Sequence, residues 1–214
     1  MSNKVAVLFD LDGTLIDTKE LILTSFRKGS MDVLGKALPD ERVQALIGIP
    51  LIEQATILAP GHAQELVDAY RARNRELHDL LIKYFEGTRE MLEELAACGM
   101  RLAVVTSKLH APALEGLASF DLEGFFELII AKEDTDKHKP DPAPLLLAAE
   151  RMGVAPEDCV YVGDSVYDMR AARAAGMVAI AALWGMYSRE ELLEAGCDFE
   201  AAAPCELPAL IGNI

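Results

Sequence analysis

Short apolar, β-branched runs alternate with helical segments along most of this chain, and each run ends in a polar turn. The runs lie at 5–9, 101–105, 128–131, 159–162 and 178–182, with helices expected at 88–98, 111–119, 143–152 and 166–175. Continuous apolar runs this short read as strands buried on both faces. Joined by helices, they imply βαβ crossovers and an α/β, Rossmann-like parallel sheet. Gly99, Gly153 and Gly176 each follow a helical stretch, where a C-terminal cap belongs.

One segment breaks the alternation. From 17 to 84 the pattern is helical, punctuated by Pro39, Gly48-Ile49-Pro50 and Pro60-Gly61. This predicts an all-helical subdomain at 17–84, inserted after the first strand of a core formed by 1–16 and 85–214. The crossings fall near 15–18 and 84–87. Gly29-Ser30 interrupts the first helical stretch and predicts a kink, since mid-helix glycine costs about 1 kcal/mol against alanine.

Composition bounds the partners. Among 214 residues, 35 are acidic and 20 are Lys or Arg, a formal charge of −15. Such a surface repels nucleic-acid phosphates and anionic membranes, so neither is an expected partner. A small anionic ligand remains compatible if metal and lysine concentrate in one pocket. The run at 5–9 is too short for a signal-peptide core and that at 177–184 too short to span a bilayer, so a cytoplasmic location is expected. A monomer is expected, with a dimer left open. The four cysteines form no CxxC pair, and Cys98 and Cys159 read as reduced core thiols.

In an open parallel sheet, ligands bind beyond the carboxyl ends of the strands. After the first strand stands Asp10-Leu11-Asp12-Gly13-Thr14; after the second, Thr106-Ser107-Lys108. A loop after the third leads to His138-Lys139-Pro140-Asp141-Pro142, and after the fourth comes Gly163-Asp164-Ser165 with Asp168 one turn on. Carboxylates of ordinary pKa are ionised at neutral pH, so Asp10, Asp12 and Asp164 together call for a positive partner. A hard divalent ion with oxygen ligands fits, and Mg²⁺ is the expected cofactor. Lys139 adds a second positive charge, and metal plus lysine facing hydroxyls are the parts that hold a phosphoryl group. Two other motifs fail. A calcium loop starting at Asp10 would have Leu15 and Leu21 at its turn and ligand positions, and Gly29…Gly35-Lys36-Ala37 lacks P-loop spacing and the hydroxyl.

In order and spacing, these clusters resemble the motifs of the haloacid dehalogenase-like phosphohydrolases, over almost the whole chain. The resemblance implies that Asp10 is the nucleophile and Asp12 the acid and base. Asp10, the Asp12 backbone carbonyl and Asp164 would hold Mg²⁺, with Asp168 orienting that set. Thr106 and Lys139 would bind the transferring phosphoryl, and Gly13, Thr14, Ser107, Lys108 and Gly48 would line the substrate site. It also implies a small helical cap and a small phosphorylated metabolite or pyrophosphate as partner. Asp12 argues against halide displacement, because dehalogenases in this superfamily generally lack that acid.

Two relatives resemble the chain best, phosphoglycolate phosphatase and the inorganic pyrophosphatase branch. A phosphosugar mutase, a broad-specificity sugar phosphatase and a non-catalytic phosphate-binding module are the alternatives. The stretch Tyr70-Arg71-Ala72-Arg73-Asn74-Arg75-Glu76-Leu77-His78-Asp79 looks like the pyrophosphatase type. Arg71, Asn74, Arg75 and His78 share one helix face, which either meets the distal end of the substrate or is simply solvated. Ser107 stands where many relatives carry Asn or Thr. His138 reads as a solvated loop residue, and Trp184 and Tyr187 as covers of the core.

Overall fold

The computed structural model of the chain describes residues 5–214; residues 1–4, counted above with the expected core, lie outside them. β1 (Ala6–Phe9) has no polar side chain and is buried throughout. It can be satisfied only in the middle of a sheet, and it pairs with β4 (Arg101–Val105) on one side and β6 (Cys159–Gly163) on the other. β5 (Leu128–Ile130) extends the sheet beyond β4, and β7 (Val178–Ala182) and β8 (Phe199–Ala201) extend it beyond β6. The order is β5-β4-β1-β6-β7-β8, with every neighbouring pair parallel.

The chain is therefore α/β with a parallel sheet, as the alternation predicts. β8 went unread because Phe-Glu-Ala is short and has a charged residue at its centre; only its pairing with β7 makes it a strand. Side chains of period two divide the interior. Ala6 and Leu8 join Ala103, Val105 and Tyr161 on one face, while Val7 and Phe9 join Leu102, Val104 and Val162 on the other. The first face is covered by α7 (Ala143–Met152) and α8 (Val166–Ala175), with α9 (Arg189–Ala195) beside α8. The second is covered by α5 (Thr88–Ala97), α6 (His110–Ala118) and α10 (Leu207–Ile211). Gly153 and Gly176 close α7 and α8 in the left-handed conformation expected of caps.

Between the first two strands of the sheet the chain passes through β2 (Ile16–Asp17), α1 (Lys19–Leu34), α2 (Asp40–Gln44), α3 (Leu51–Leu58), α4 (Ala63–Leu81) and β3 (Lys83–Tyr84). β2 and β3 form an antiparallel ribbon, Ile16 opposite Tyr84 and Asp17 opposite Lys83, so the outbound and returning chains run side by side. The sequence offered no sign of this ribbon. α1 also runs unbroken through Gly29 and Ser30, correcting the interruption expected there. A Cβ on Gly29 would lie 3.0 Å from Tyr70 N and 3.3 Å from Ala69 C, so the glycine admits the backbone of α4. The Phe26 and Tyr70 rings pack at a tilt beside this contact, centroids 4.6 Å apart. The buried Ser30 hydroxyl accepts from Leu38 N at 3.0 Å, which anchors the turn after α1.

All four cysteines are free, but only Cys159 is buried. Cys98 is exposed because it follows the last turn of α5, beyond the buried stripe of Met91, Leu92 and Leu95. Among the described residues, no helix is long and apolar enough to cross a membrane.

Candidate active site

β4, β1 and β6 are adjacent, so Thr106, Asp10 and Asp164 stand at neighbouring carboxyl ends. Asp10 N donates to Val162 O at 2.9 Å, which carries the β1–β6 pairing one residue past the strand and fixes the Asp10 backbone. The chain then turns tightly: Leu11 O accepts from the backbone N–H groups of Thr14, Leu15 and Ile16. Gly13 adopts φ 83°, and a Cβ there would fall 2.2 Å from Asp164 Oδ2. Glycine is thus required both by the turn and by the approach of Asp164. Thr14 Oγ1 donates to Asp164 Oδ1 at 3.1 Å, and Met186 N donates to Asp164 Oδ2 at 2.8 Å.

Behind Asp10 lies a buried ionic knot. Lys139 Nζ sits 2.9 Å from Asp10 Oδ1, 2.7 Å from Asp168 Oδ1 and 3.0 Å from the Tyr161 hydroxyl. The other oxygen of Asp168 accepts from Ser165 N at 3.0 Å and Ser165 Oγ at 2.5 Å, capping α8. An oxygen from each of Asp10, Asp164 and Asp168 lies within 4.8 Å of the others. Three buried carboxylates therefore converge here with one buried ammonium, which pairs with Asp10 and Asp168. Burial pushes Asp10 up to about 7 even though Lys139 opposes the shift. Burial likewise raises Asp164 well above the usual carboxylate range. Burial pulls Lys139 down, but Asp10 and Asp168 more than offset it and hold the ammonium charged. The excess of buried negative charge, presented entirely by oxygen, suits a hard divalent cation.

Asp12 points elsewhere. Its Oδ1 accepts from Thr18 Oγ1 at 2.8 Å and from Lys108 Nζ at 2.6 Å. Thr106 Oγ1 accepts from Lys108 N at 3.1 Å, so the turn after β4 arrives with both its hydroxyl and its ammonium at the site. Ser107 Oγ donates to Gly48 O at 2.7 Å, joining this turn to the loop between α2 and α3.

These groups surround a cavity of about 730 Å³ between the sheet and the helical segment. Asp10, Asp12, Gly48, Thr106, Ser107, Lys108 and Asp164 line it. Gly13, Thr14, Lys139 and Asp168 stand behind that wall, where the Thr14 hydroxyl serves Asp164 rather than the cavity. Arg71, Asn74, Arg75 and His78 line the opposite wall, so this face of α4 looks onto the cavity. Of the residues set aside earlier, Tyr187 reaches across to Ile47 O at 3.0 Å and Trp184 Nε1 donates to Thr14 O at 3.0 Å.

Two contributors escaped sequence reasoning, Thr18 and Tyr161, and Ser165 was read as part of a motif without its role at Asp168. Tyr161 left one signal, a hydroxyl in an otherwise apolar strand. Ser165 left another, the spacing to Asp168 of a capping box. Thr18 left none, because nothing local tells that its hydroxyl returns to Asp12.

Residues 7–182 match the model of the haloacid dehalogenase-like hydrolase family. The chain is 34% identical over 206 residues to pyrophosphatase PpaX of Bacillus pumilus, covering 96% of this chain and 95% of that protein. It is 36% identical over 187 residues to pyrophosphatase PpaX of Bacillus velezensis, covering 87% of each. Among solved structures, a haloacid dehalogenase-like family hydrolase of Streptococcus pneumoniae superposes with a TM-score of 0.86 at 28% identity, covering 98% of this chain and 99% of that one. A Lactobacillus plantarum protein with the provisional name of phosphoglycolate phosphatase superposes with a TM-score of 0.87 at 27% identity, covering 98% of this chain and 100% of that one.

Proposed function

The chain belongs to the haloacid dehalogenase-like hydrolase family, and from that premise we propose that this phosphatase is a Mg²⁺-dependent phosphohydrolase acting through an aspartyl-phosphate on a small anionic phosphate. Phosphoglycolate and inorganic pyrophosphate are the first substrates to test, after the names of its relatives. The observation that carries the reading is Asp10: a buried carboxylate held 2.9 Å from Lys139, lining a cavity that Asp12 also lines.

Asp10 attacks phosphorus while the bond to the leaving oxygen breaks, and Asp12 gives that oxygen its proton. Water then attacks the aspartyl-phosphate, Asp12 takes the proton, and the bond to Asp10 breaks to release phosphate. Lys139 holds the nucleophile in place by its ion pair and offsets charge on the phosphoryl group from behind. The Thr106 hydroxyl, which lines the cavity, donates to a phosphoryl oxygen. Asp10, Asp164 and the Asp12 carbonyl would hold the metal, with Asp168 orienting Lys139 and the start of α8. A metal held there would supply positive charge to offset the phosphoryl oxygens beside the carboxylates. Residues 17–84 act as a cap over the sheet, shielding the site from bulk water while the aspartyl-phosphate forms and admitting the one water that hydrolyses it.

The test is phosphate release with Mg²⁺ from phosphoglycolate, pyrophosphate and sugar phosphates, combined with mass spectrometry of acid-quenched enzyme. A phosphoryl mass on the peptide holding Asp10, lost with turnover in Asp10→Asn, supports the reading. Near-normal release from Asp10→Asn overturns it.

A further inference from the structure

We propose that Arg71 and Arg75 form a second anion subsite in the cavity, so that the preferred substrate is an organic phosphate carrying another anionic group beyond an apolar span. The inference rests on the phosphatase reading for the first phosphoryl group.

The argument begins with charge pairing. In a chain of net charge −15, carboxylates are abundant. Arg73, between the two on α4, pairs with Asp32 and Glu76, and Arg27, Arg101, Arg151 and Arg189 all meet carboxylates. Arg71 and Arg75 meet none among the described residues; nor do Arg42, Arg89, Arg170 and Arg173, but those four lie away from the cavity, whereas Arg71 and Arg75 line it. Glu115 on α6 also lines it and pairs with neither. Four residues apart, the two guanidiniums are neighbours on the helix, and like charges at that spacing destabilise it. Asn74 and His78 lie on the same face but are already engaged, the Asn74 amide with the Tyr70 hydroxyl at 3.3 Å and His78 Nδ1 with Asp79 at 2.9 Å, so the two guanidiniums are the groups left for a ligand. Adjacent guanidiniums without a carboxylate partner suit a phosphate or carboxylate.

The rest of the wall decides what lies between the anionic ends. Ile22, Ile47, Ile49, Leu51 and Ile52 line the cavity. Inorganic pyrophosphate has no apolar surface to bury against them, whereas a hydrocarbon span does. The cavity of about 730 Å³ is also within the usual range for organic ligands.

The probes are alkanediol bisphosphates of graded chain length, the matching alkyl monophosphates, and pyrophosphate, assayed with Mg²⁺. Wild type should favour a bisphosphate over its monophosphate by about tenfold or more in kcat/KM, and over pyrophosphate. In Arg71→Gln/Arg75→Gln that ratio should fall to near one. Release from monophosphates without any bisphosphate preference, or the same ratio in the variant, overturns the subsite alone. Pyrophosphate exceeding every bisphosphate overturns the apolar span. If no compound is hydrolysed, the phosphatase reading fails, and calorimetry with an alkane bisphosphonate decides the subsite. Binding weakened about tenfold or more by the double substitution supports it; equal binding, or none to either protein, overturns it.

Discussion

Lys108 Nζ lies 2.6 Å from Asp12 Oδ1, which ties the turn after β4 to the turn after β1 at the cavity wall. With Thr18 donating to the same oxygen at 2.8 Å, the carboxylate is fixed without any role in packing the core. Asp12→Asn should therefore fold normally and fail chemically. Release from alkyl phosphates, whose leaving group needs a proton, should fall by about 10²-fold or more. The first-turnover burst of nitrophenol, which departs unprotonated, should fall much less, although its steady-state turnover also slows because Asp12 no longer activates water. Equal first-turnover losses on both substrates would contradict the acid role.

Asp168 joins Lys139 to the start of α8, and neither of its oxygens faces the cavity unpaired. Asp168→Ala removes a buried charge partner together with a helix cap. With Mg²⁺ present, stability should drop by about 3 kcal/mol or more in urea denaturation. Asp168→Asn keeps an acceptor for Ser165 and should lose less. An unchanged midpoint in the alanine variant would show that Lys139 does not depend on Asp168.

Metal should stabilise the fold as well as activate it. The carboxylates of Asp10, Asp164 and Asp168 converge only in the folded chain, so a cation binding there favours the native state. At a hundredfold excess over Kd, that is about 2.7 kcal/mol, or roughly 5–10 °C in Tm for a chain of this size. Calorimetry in Mg²⁺ against chelator reads the shift, and Asp164→Asn should abolish most of it. A wild-type Tm indifferent to Mg²⁺ would remove the metal from this site.

Gly13→Ala tests how closely the first turn must approach Asp164. The added methyl meets Asp164 Oδ2 at 2.2 Å, and the backbone sits at φ 83°. The variant should be destabilised by about 1–3 kcal/mol and should also lose the Mg²⁺-dependent rise in Tm. A variant with normal Mg²⁺ response would mean that Asp164 can move aside without consequence.

The alternation of apolar runs and helices determined the parallel sheet, because a strand such as Ala-Val-Leu-Phe can be satisfied only with both faces covered. It also placed Asp10, Thr106 and Asp164 at strand ends, since ligands gather there in such sheets. Both follow from local chemistry. Tertiary packing decided the rest. Gly29 reads as a break along the sequence and becomes a contact only when α4 lies against it. The face of α4 holding Arg71 and Arg75 could have met solvent, and only the placement of the helical segment turned it onto the cavity. The partners of Asp12 and Asp168 were chosen in the same way. Hydrogen bonds such as Lys108 to Asp12 and Tyr161 to Asp168 join residues whose sequence neighbours carry no trace of the pairing. Periodicity encodes which face of an element is buried, whereas the partner it meets there depends on how all the elements pack together.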